Sequence, residues 1–297
     1  MKKILFALLA VAATITTSCE KAFDKESENE ISDVVFAIEI TEISTRAFGD
    51  GTQANDLYYG VYDENGNLIN SISKVNDQSK ESINISKSIN FRLVTGNTYS
   101  IIFWADNSNG VCDVDFAEQT MSFNPKKANM EEYDAFWAYV EPFKVEADMS
   151  KTVTLYRPFA QLNIGTNDID AASKAGLTVV ESKIVVKTPT VLDLVSGAVS
   201  KEVDVTYDFN AIPQNETFPV DEYEYLSMNY LLVGSNKSTV DLAFAYGNGE
   251  DEYDRTYTFI PVQRNYRTNI FGSILTSSID VNIVIEPSFN EPDYNVD

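Results

Sequence analysis

The sequence predicts a mainly β fold: two tandem antiparallel β-sandwich domains with one short helix. Three observations predict it. Apolar and polar residues alternate through many short segments, which is the two-residue period of a half-buried strand. Gly, Asn and Pro clusters separate those segments at close intervals, as in all-β domains. The 297 residues also include 16 Tyr and 17 Phe beside abundant Val, Ile and Thr, types that fit a pleated surface.

The chain opens with a segment that lies outside this pattern. Lys2 and Lys3 precede an apolar run from Ile4 to Ala13. That run falls short of the roughly 20 residues a membrane span needs and suits a secretory signal. Small and polar residues then lead to Cys19. A cysteine at the end of a signal suits lipidation, so residues 1–18 are expected to be removed and Cys19 to carry acyl chains. Each buried CH₂ of such a chain contributes about 0.8 kcal/mol of membrane affinity. Thr16, Thr17 and Ser18 make a loose lipobox, and an ordinary signal with an incidental cysteine is the alternative. Residues 19–32 are polar and acidic and read as a tether.

The strands follow in order. In DVVFAIEIT, Val34, Phe36, Ile38 and Ile40 share one face, with Ala37 and Glu39 on the other. The stretch TEISTRAFGDGTQAND has two glycines and no periodicity, and reads as a loop. Leu57–Tyr62 and Leu68–Ile72 flank DENGN, where Asn65-Gly66 predicts a type I′ hairpin. Ile89–Val94 and Tyr99–Ala105 flank TGN as a second expected hairpin. Asn124–Asp134 reads as a longer polar segment, and Phe136–Val140 and Val153–Tyr156 as the next strands.

Arg157-Pro158 interrupts the pattern, placing a boundary between an N-terminal domain, residues 33–157, and a C-terminal one, residues 158–297. Ala160–Gly165 resumes as a strand. NDIDAASKAG then predicts a short helix, capped by Asn167 or Asp168 and closed by Gly176. Further strands are expected at Leu177–Lys187, Val203–Tyr207, Leu226–Val233, Thr239–Tyr246, Thr256–Pro261, Thr268–Leu275 and Ile279–Ile285. Two prolines argue against a continuous strand in the terminal EPSFNEPDYNVD.

Composition narrows function. A formal net charge of -23 disfavours nucleic acid as a partner, because phosphate binding needs a basic face. The chain has no histidine, which excludes Ser-His-Asp and Cys-His catalysis and any His-ligated metal. Once Cys19 is acylated, Cys112 is the last cysteine, so no intrachain disulfide forms. Cys112 reads as a small apolar residue rather than a nucleophile. Neither GxSxG, a P-loop nor GxGxxG occurs, and no carboxylate pair stands out from a solvated acidic surface. The loop around Asp251, GNGEDEYD, reads as a loop before it reads as a weak calcium site. Trp104 and Trp137 could form a sugar platform, but their apolar surroundings favour core packing. No enzyme, cofactor or metal is expected. Arg46 sits in a flexible glycine-containing loop directly after an alternating strand, where a protease could bind an extended substrate; taken alone it reads as a surface arginine.

Several segments together carry a resemblance. They are the lipobox cysteine, the acidic tether, a strand followed by STRAFGDG, the YYGVYDENGNLI hairpin, TLYRPFAQLNIGT at the junction, and the terminal PVQRNYRTNIFGSILTSSIDVNIVIEPSFN. Across essentially the whole mature chain they resemble the Bacteroidetes fimbrillins, the lipoprotein subunits of type V pili, and they imply transthyretin-like/Greek-key sandwiches. The resemblance implies a surface lipoprotein cut by an arginine-specific protease between Arg46 and Ala47. The first strand, with Val34, Phe36, Ile38 and Ile40, would leave, and a neighbouring subunit would fill the groove by strand complementation. The best donor by pattern is Ile279–Ile285, with Ile279, Val281, Ile283 and Ile285 on one face; the alternative is the last strand of its own domain. The implied partners are other fimbrial subunits, that protease, and the outer membrane before maturation. Two competing readings are a non-polymerising outer-membrane lipoprotein that binds surface glycans and a fimbrial anchor that keeps its first strand.

Overall fold

The structure is a computed structural model and describes residues 30–40, 49–277 and 281–286. Cys19, Arg46, Ala47 and Ile279, together with the signal and most of the tether, lie outside the described residues. Among the described residues there are nineteen strands. The first half gives β1 (Ile31–Ile40), β2 (Asp56–Tyr62), β3 (Glu81–Ser82), β4 (Ser86–Val94), β5 (Thr98–Asp106), β6 (Cys112–Asp115), β7 (Thr120–Phe123), β8 (Phe136–Lys144) and β9 (Met149–Leu155). The second half gives β10 (Phe159–Thr166), helix α1 (Ile169–Lys174), β11 (Glu181–Thr188), β12 (Val191–Asp193), β13 (Val199–Ser200), β14 (Val203–Ala211), β15 (Glu224–Leu232), β16 (Ser238–Gly247), β17 (Glu252–Val262), β18 (Arg267–Gly272) and β19 (Val281–Glu286). The fold is therefore mainly β, with its sheets packed as sandwiches and one short α-helix among the described residues. No described helix is long and apolar enough to cross a membrane.

Two sheets, β4-β1-β9 and β3-β2-β5-β8, enclose a first hydrophobic cluster. Two more, β14-β11-β16-β17 and β15-β10-β18-β19, contribute to a second, and β13-β12-β7-β6 joins chain from both halves. The sheet around β2 and β5 serves both clusters because its strands are apolar on both faces. Leu57, Tyr59, Ile101 and Phe103 enter the first cluster, while Tyr58, Tyr62, Ile102 and Trp104 enter the second. Arg157 falls between β9 and β10. The segment between β5 and β8 packs into the second cluster through Phe116, Met121 and Phe123, because β7 pairs with β12.

Most strand pairs are antiparallel. Two are parallel, β1 with β9 and β10 with β18.

Several local expectations change. TGN does not close a hairpin. β4 pairs with β1 and β5 with β2 and β8, so the loop crosses from one sheet to the other. Gly96 takes φ +92 there and donates its N–H to the Val145 carbonyl at 2.6 Å. Packing Ile89 and Phe91 against Ile101 and Phe103 across the core outweighs pairing them side by side. DENGN does turn the chain, but only Gly66 has a positive φ (+79). A type I′ turn needs two such residues. Here Gly66 N–H reaches the Asp63 carbonyl at 3.0 Å and the Asp63 carboxylate accepts the N–H groups of Asn65 and Asn67, each at 2.9 Å. Leu68–Ile72 makes only an isolated bridge at Leu68 instead of a full strand.

Helix α1 starts after Asp168, whose carboxylate does not cap it. That carboxylate instead accepts the Thr166 hydroxyl, and at 2.8 and 2.6 Å the backbone N–H and hydroxyl of Thr276. Gly176 closes the helix at φ +90 as its composition suggests.

Candidate strand-exchange site

β1 lies in the middle of its sheet. On one side it pairs antiparallel with β4, from Ile31↔Val94 to Glu39↔Ser86. On the other it pairs in parallel with β9, from Val34↔Met149 to Ile40↔Leu155. Both edges of its backbone are therefore hydrogen-bonded, and its departure would leave β4 and β9 each with an open edge. Val34, Phe36 and Ile38 are 0% exposed and Ile40 is 3% exposed, while Asp33 and Glu39 face solvent. The Phe36 ring meets Phe91, Phe103 and Phe143 at centroid distances of 5.9, 5.8 and 5.7 Å. At about 1.5–3 kcal/mol for each buried side chain, the four contribute roughly 6–12 kcal/mol.

Both ends of the segment that carries Arg46 are held. At its start, Ile40 N–H donates to the Ile85 carbonyl at 2.7 Å. Ile85 itself has φ 65, a left-handed conformation that a β-branched residue adopts only under strain. At its end, Arg157, fully buried, donates through Nε and an Nη to the two Asp134 carboxylate oxygens, each at 2.7 Å. The same guanidinium donates to the Gly49 carbonyl and lies 4.5 Å from the centroid of the Phe136 ring. Glu131 accepts the Gly49 N–H at 3.3 Å, and burial raises its carboxyl to about pKa 7. Gly51 follows at φ +79, where a Cβ would stand 3.2 Å from Phe136 and 3.5 Å from Ile40. Gly49 is thus held by Arg157 and Glu131, and Gly51 lies close to Ile40 at the end of β1.

These holding residues were missed by sequence reading. The Arg157-Pro158 interruption was the one available signal, and it marked a boundary without identifying Asp134 or Gly49 as partners.

Val281, Ile283 and Ile285 lie on β19. This strand pairs antiparallel with β18, from Arg267↔Glu286 to Gly272↔Val281, and forms one edge of its sheet. Ile283 and Val284 are 40% and 42% exposed. In the structure, then, the last strand is seated in its own half of the chain, but loosely covered.

The remaining candidates are quickly placed. Trp104 is fully buried and donates its indole N–H to Asp106 at 2.8 Å. Trp137 is half-buried, donates to the Leu194 carbonyl at 2.9 Å and lies beneath Arg264. Cys112 is half-buried, and burial pushes its thiol well above the usual range. Near Asp251 the chain makes a turn in which the Asn248 side chain accepts the N–H groups of Glu250 and Asp251.

Residues 25–297 match the family described as "Family of unknown function (DUF6562)". No curated protein matches the chain. Among solved structures, a candidate adhesin from Bacteroides thetaiotaomicron is 11% identical, with a TM-score of 0.52 over 86% of this chain and 96% of that one. A candidate polysaccharide-binding protein (DUF1812) from the same organism is 10% identical, with a TM-score of 0.52 over 86% and 98%. The fimbrial anchor protein Mfa2 from Porphyromonas gingivalis is 11% identical, with a TM-score of 0.45 over 86% and 95%. These likenesses concern the fold.

Proposed function

The chain belongs to the DUF6562 family, a family of unknown function, and on that premise we propose that it is a structural subunit of a cell-surface fimbria. It is exported as a lipoprotein through Cys19, matured by cleavage between Arg46 and Ala47, and assembled by strand exchange in support of adhesion. One observation carries the reading. β1 is bonded on both edges and inserts four apolar side chains into the core, directly before the segment that contains Arg46. Cleavage in that segment cuts the only covalent link between β1 and the rest of the domain, while Arg157 still holds the Gly49 carbonyl downstream of the cut. A vacated groove flanked by two open edges is a template for β-augmentation. The resemblance to fimbrillins supports the same reading, and the neighbour described as a candidate adhesin fits a surface role.

A strand resembling β19 is the donor in this proposal. Its edge position and exposed Ile283 and Val284 make it the easier strand to detach. A second reading, a fimbrial anchor that keeps β1, draws on the density of the β1 contacts themselves.

The test is to treat the unlipidated precursor with an arginine-specific protease, sequence the new N-terminus and run the product on a gel without boiling. A start at Ala47 with heat-labile multimers is expected. A cut chain that keeps its first strand and stays monomeric would refute strand exchange. Because the subunits are strongly acidic, added salt should speed assembly.

A further inference from the structure

We propose a neutral-glycan subsite centred on Phe259. Phe259 is 77% exposed, although its neighbours in β17, Ile260 and Val262, are fully buried. Its backbone has φ 57. The cause is a bulge: Val240 pairs with Ile260 and Leu242 with Tyr257, so Asp241 alone faces both Thr258 and Phe259. The Asp241 carboxylate accepts the Phe259 N–H at 2.9 Å and fixes the bulge. Glycine or asparagine fills such a position with little strain, whereas a bulky side chain does not. Here an aromatic residue occupies it and recovers almost no burial in return. Exposure of a single apolar side chain is ordinary, but backbone strain kept at a bulky residue that gains no burial from it points to a role outside the fold.

The surroundings indicate the ligand. Phe259 borders a groove of about 500 Å³, within the roughly 300–1,000 Å³ of small-ligand sites. Lys187, Asn236 and Lys237 bring donors to it, and Glu202 and Asp241 bring acceptors. Lys187 and Glu202 pair at 3.3 Å and remain well exposed, so they largely cancel each other's charge. A protein partner sealing this groove would have to desolvate that pair. A sugar leaves it wet, since hydroxyls both donate and accept, and the apolar C–H face of a pyranose stacks on an aromatic ring. The site is independent of strand exchange and would give a surface protein a binding face on uncleaved and cleaved chains alike.

The experiment is affinity electrophoresis of the intact, uncleaved protein through gels containing a soluble glucan, mannan, galactomannan or xylan. At least one polysaccharide is expected to retard the wild type. Phe259→Ala should weaken that retardation at least tenfold, and Phe259→Trp should retain it. Phe259→Gly, which relieves the backbone, should lose retardation while melting no lower than wild type, showing that the loss is not unfolding. Failure of all four polysaccharides to retard the wild type would overturn the proposal. So would retardation unchanged in Phe259→Ala, or a Phe259→Ala defect confined to self-association in sedimentation.

Discussion

β1 and β19 carry the same sequence pattern and meet opposite fates. Each places a β-branched or aromatic residue at every second position, with Asp33, Val35, Ala37 and Glu39 between them in β1 and Asn282, Val284 and Glu286 in β19, so periodicity alone does not tell them apart. β1 is paired on both edges, and its inward side chains are almost wholly excluded from water. β19 is paired on one edge, with Ile283 and Val284 about two-fifths exposed. The pattern decides that a segment is a strand and which side chains share a face. It does not decide whether that face meets a full core or a partial one, because the covering residues come from distant parts of the chain. In β1 these include Phe91, Phe103 and Phe143.

The strongest way to break this comparison is to truncate matching positions. Phe36→Ala is expected to lower stability by about 3–5 kcal/mol, the range for a buried aromatic. Ile283→Ala should lower it by only about 0.5 kcal/mol, as at an exposed position. Urea denaturation measures both, and equal losses would mean the two strands are equally integral. Amide exchange sharpens the same point, with protection expected to be higher across Val34–Ile40 than across Val281–Glu286.

Next in size is the clamp beside β1. Arg157→Met leaves the Asp134 carboxylate buried without its cation and should reduce stability by about 3–5 kcal/mol at neutral pH. In that variant burial, together with the negative charge of Asp50, raises the Asp134 pKa above its unfolded value. The stability deficit should therefore shrink as pH falls and Asp134 takes up a proton. A deficit that grows in acid would show that the carboxylate is solvated after all.

A smaller effect of opposite sign is expected at Ile85, whose carbonyl receives the Ile40 N–H. Strain of about 1–3 kcal/mol is released by Ile85→Gly, against about 0.5–1 kcal/mol of added chain entropy. A net gain near 1 kcal/mol is expected in thermal or urea melts. A loss would mean that the half-buried Ile85 side chain outweighs its backbone strain.

The smallest effect concerns Glu131, whose folded pKa of about 7 stands above the ordinary 4.5. The folded state holds this proton more tightly than the unfolded state. Its stabilising contribution is complete below about pH 4.5 and fades as pH rises through 7. Glu131→Gln should flatten that part of the stability profile. An unchanged profile would place the pH dependence elsewhere.

Much of this protein was determined by sequence alone. The period-2 patterns fixed the mainly β class, most strand positions and the inward face of β1, since alternation is a local property of the pleated chain. The helix and its closing Gly176 were legible for the same reason. Tertiary structure alone decided what lies across from each strand. It turned TGN into a crossover between sheets, drew Asp168 away from the helix toward Thr276, and brought Arg157 to Asp134 and Gly49. It also built the Phe259 bulge from one extra residue opposite Asp241. These outcomes rest on contacts between residues far apart in sequence. Burial, desolvation and strain depend on three-dimensional neighbours that no local window contains.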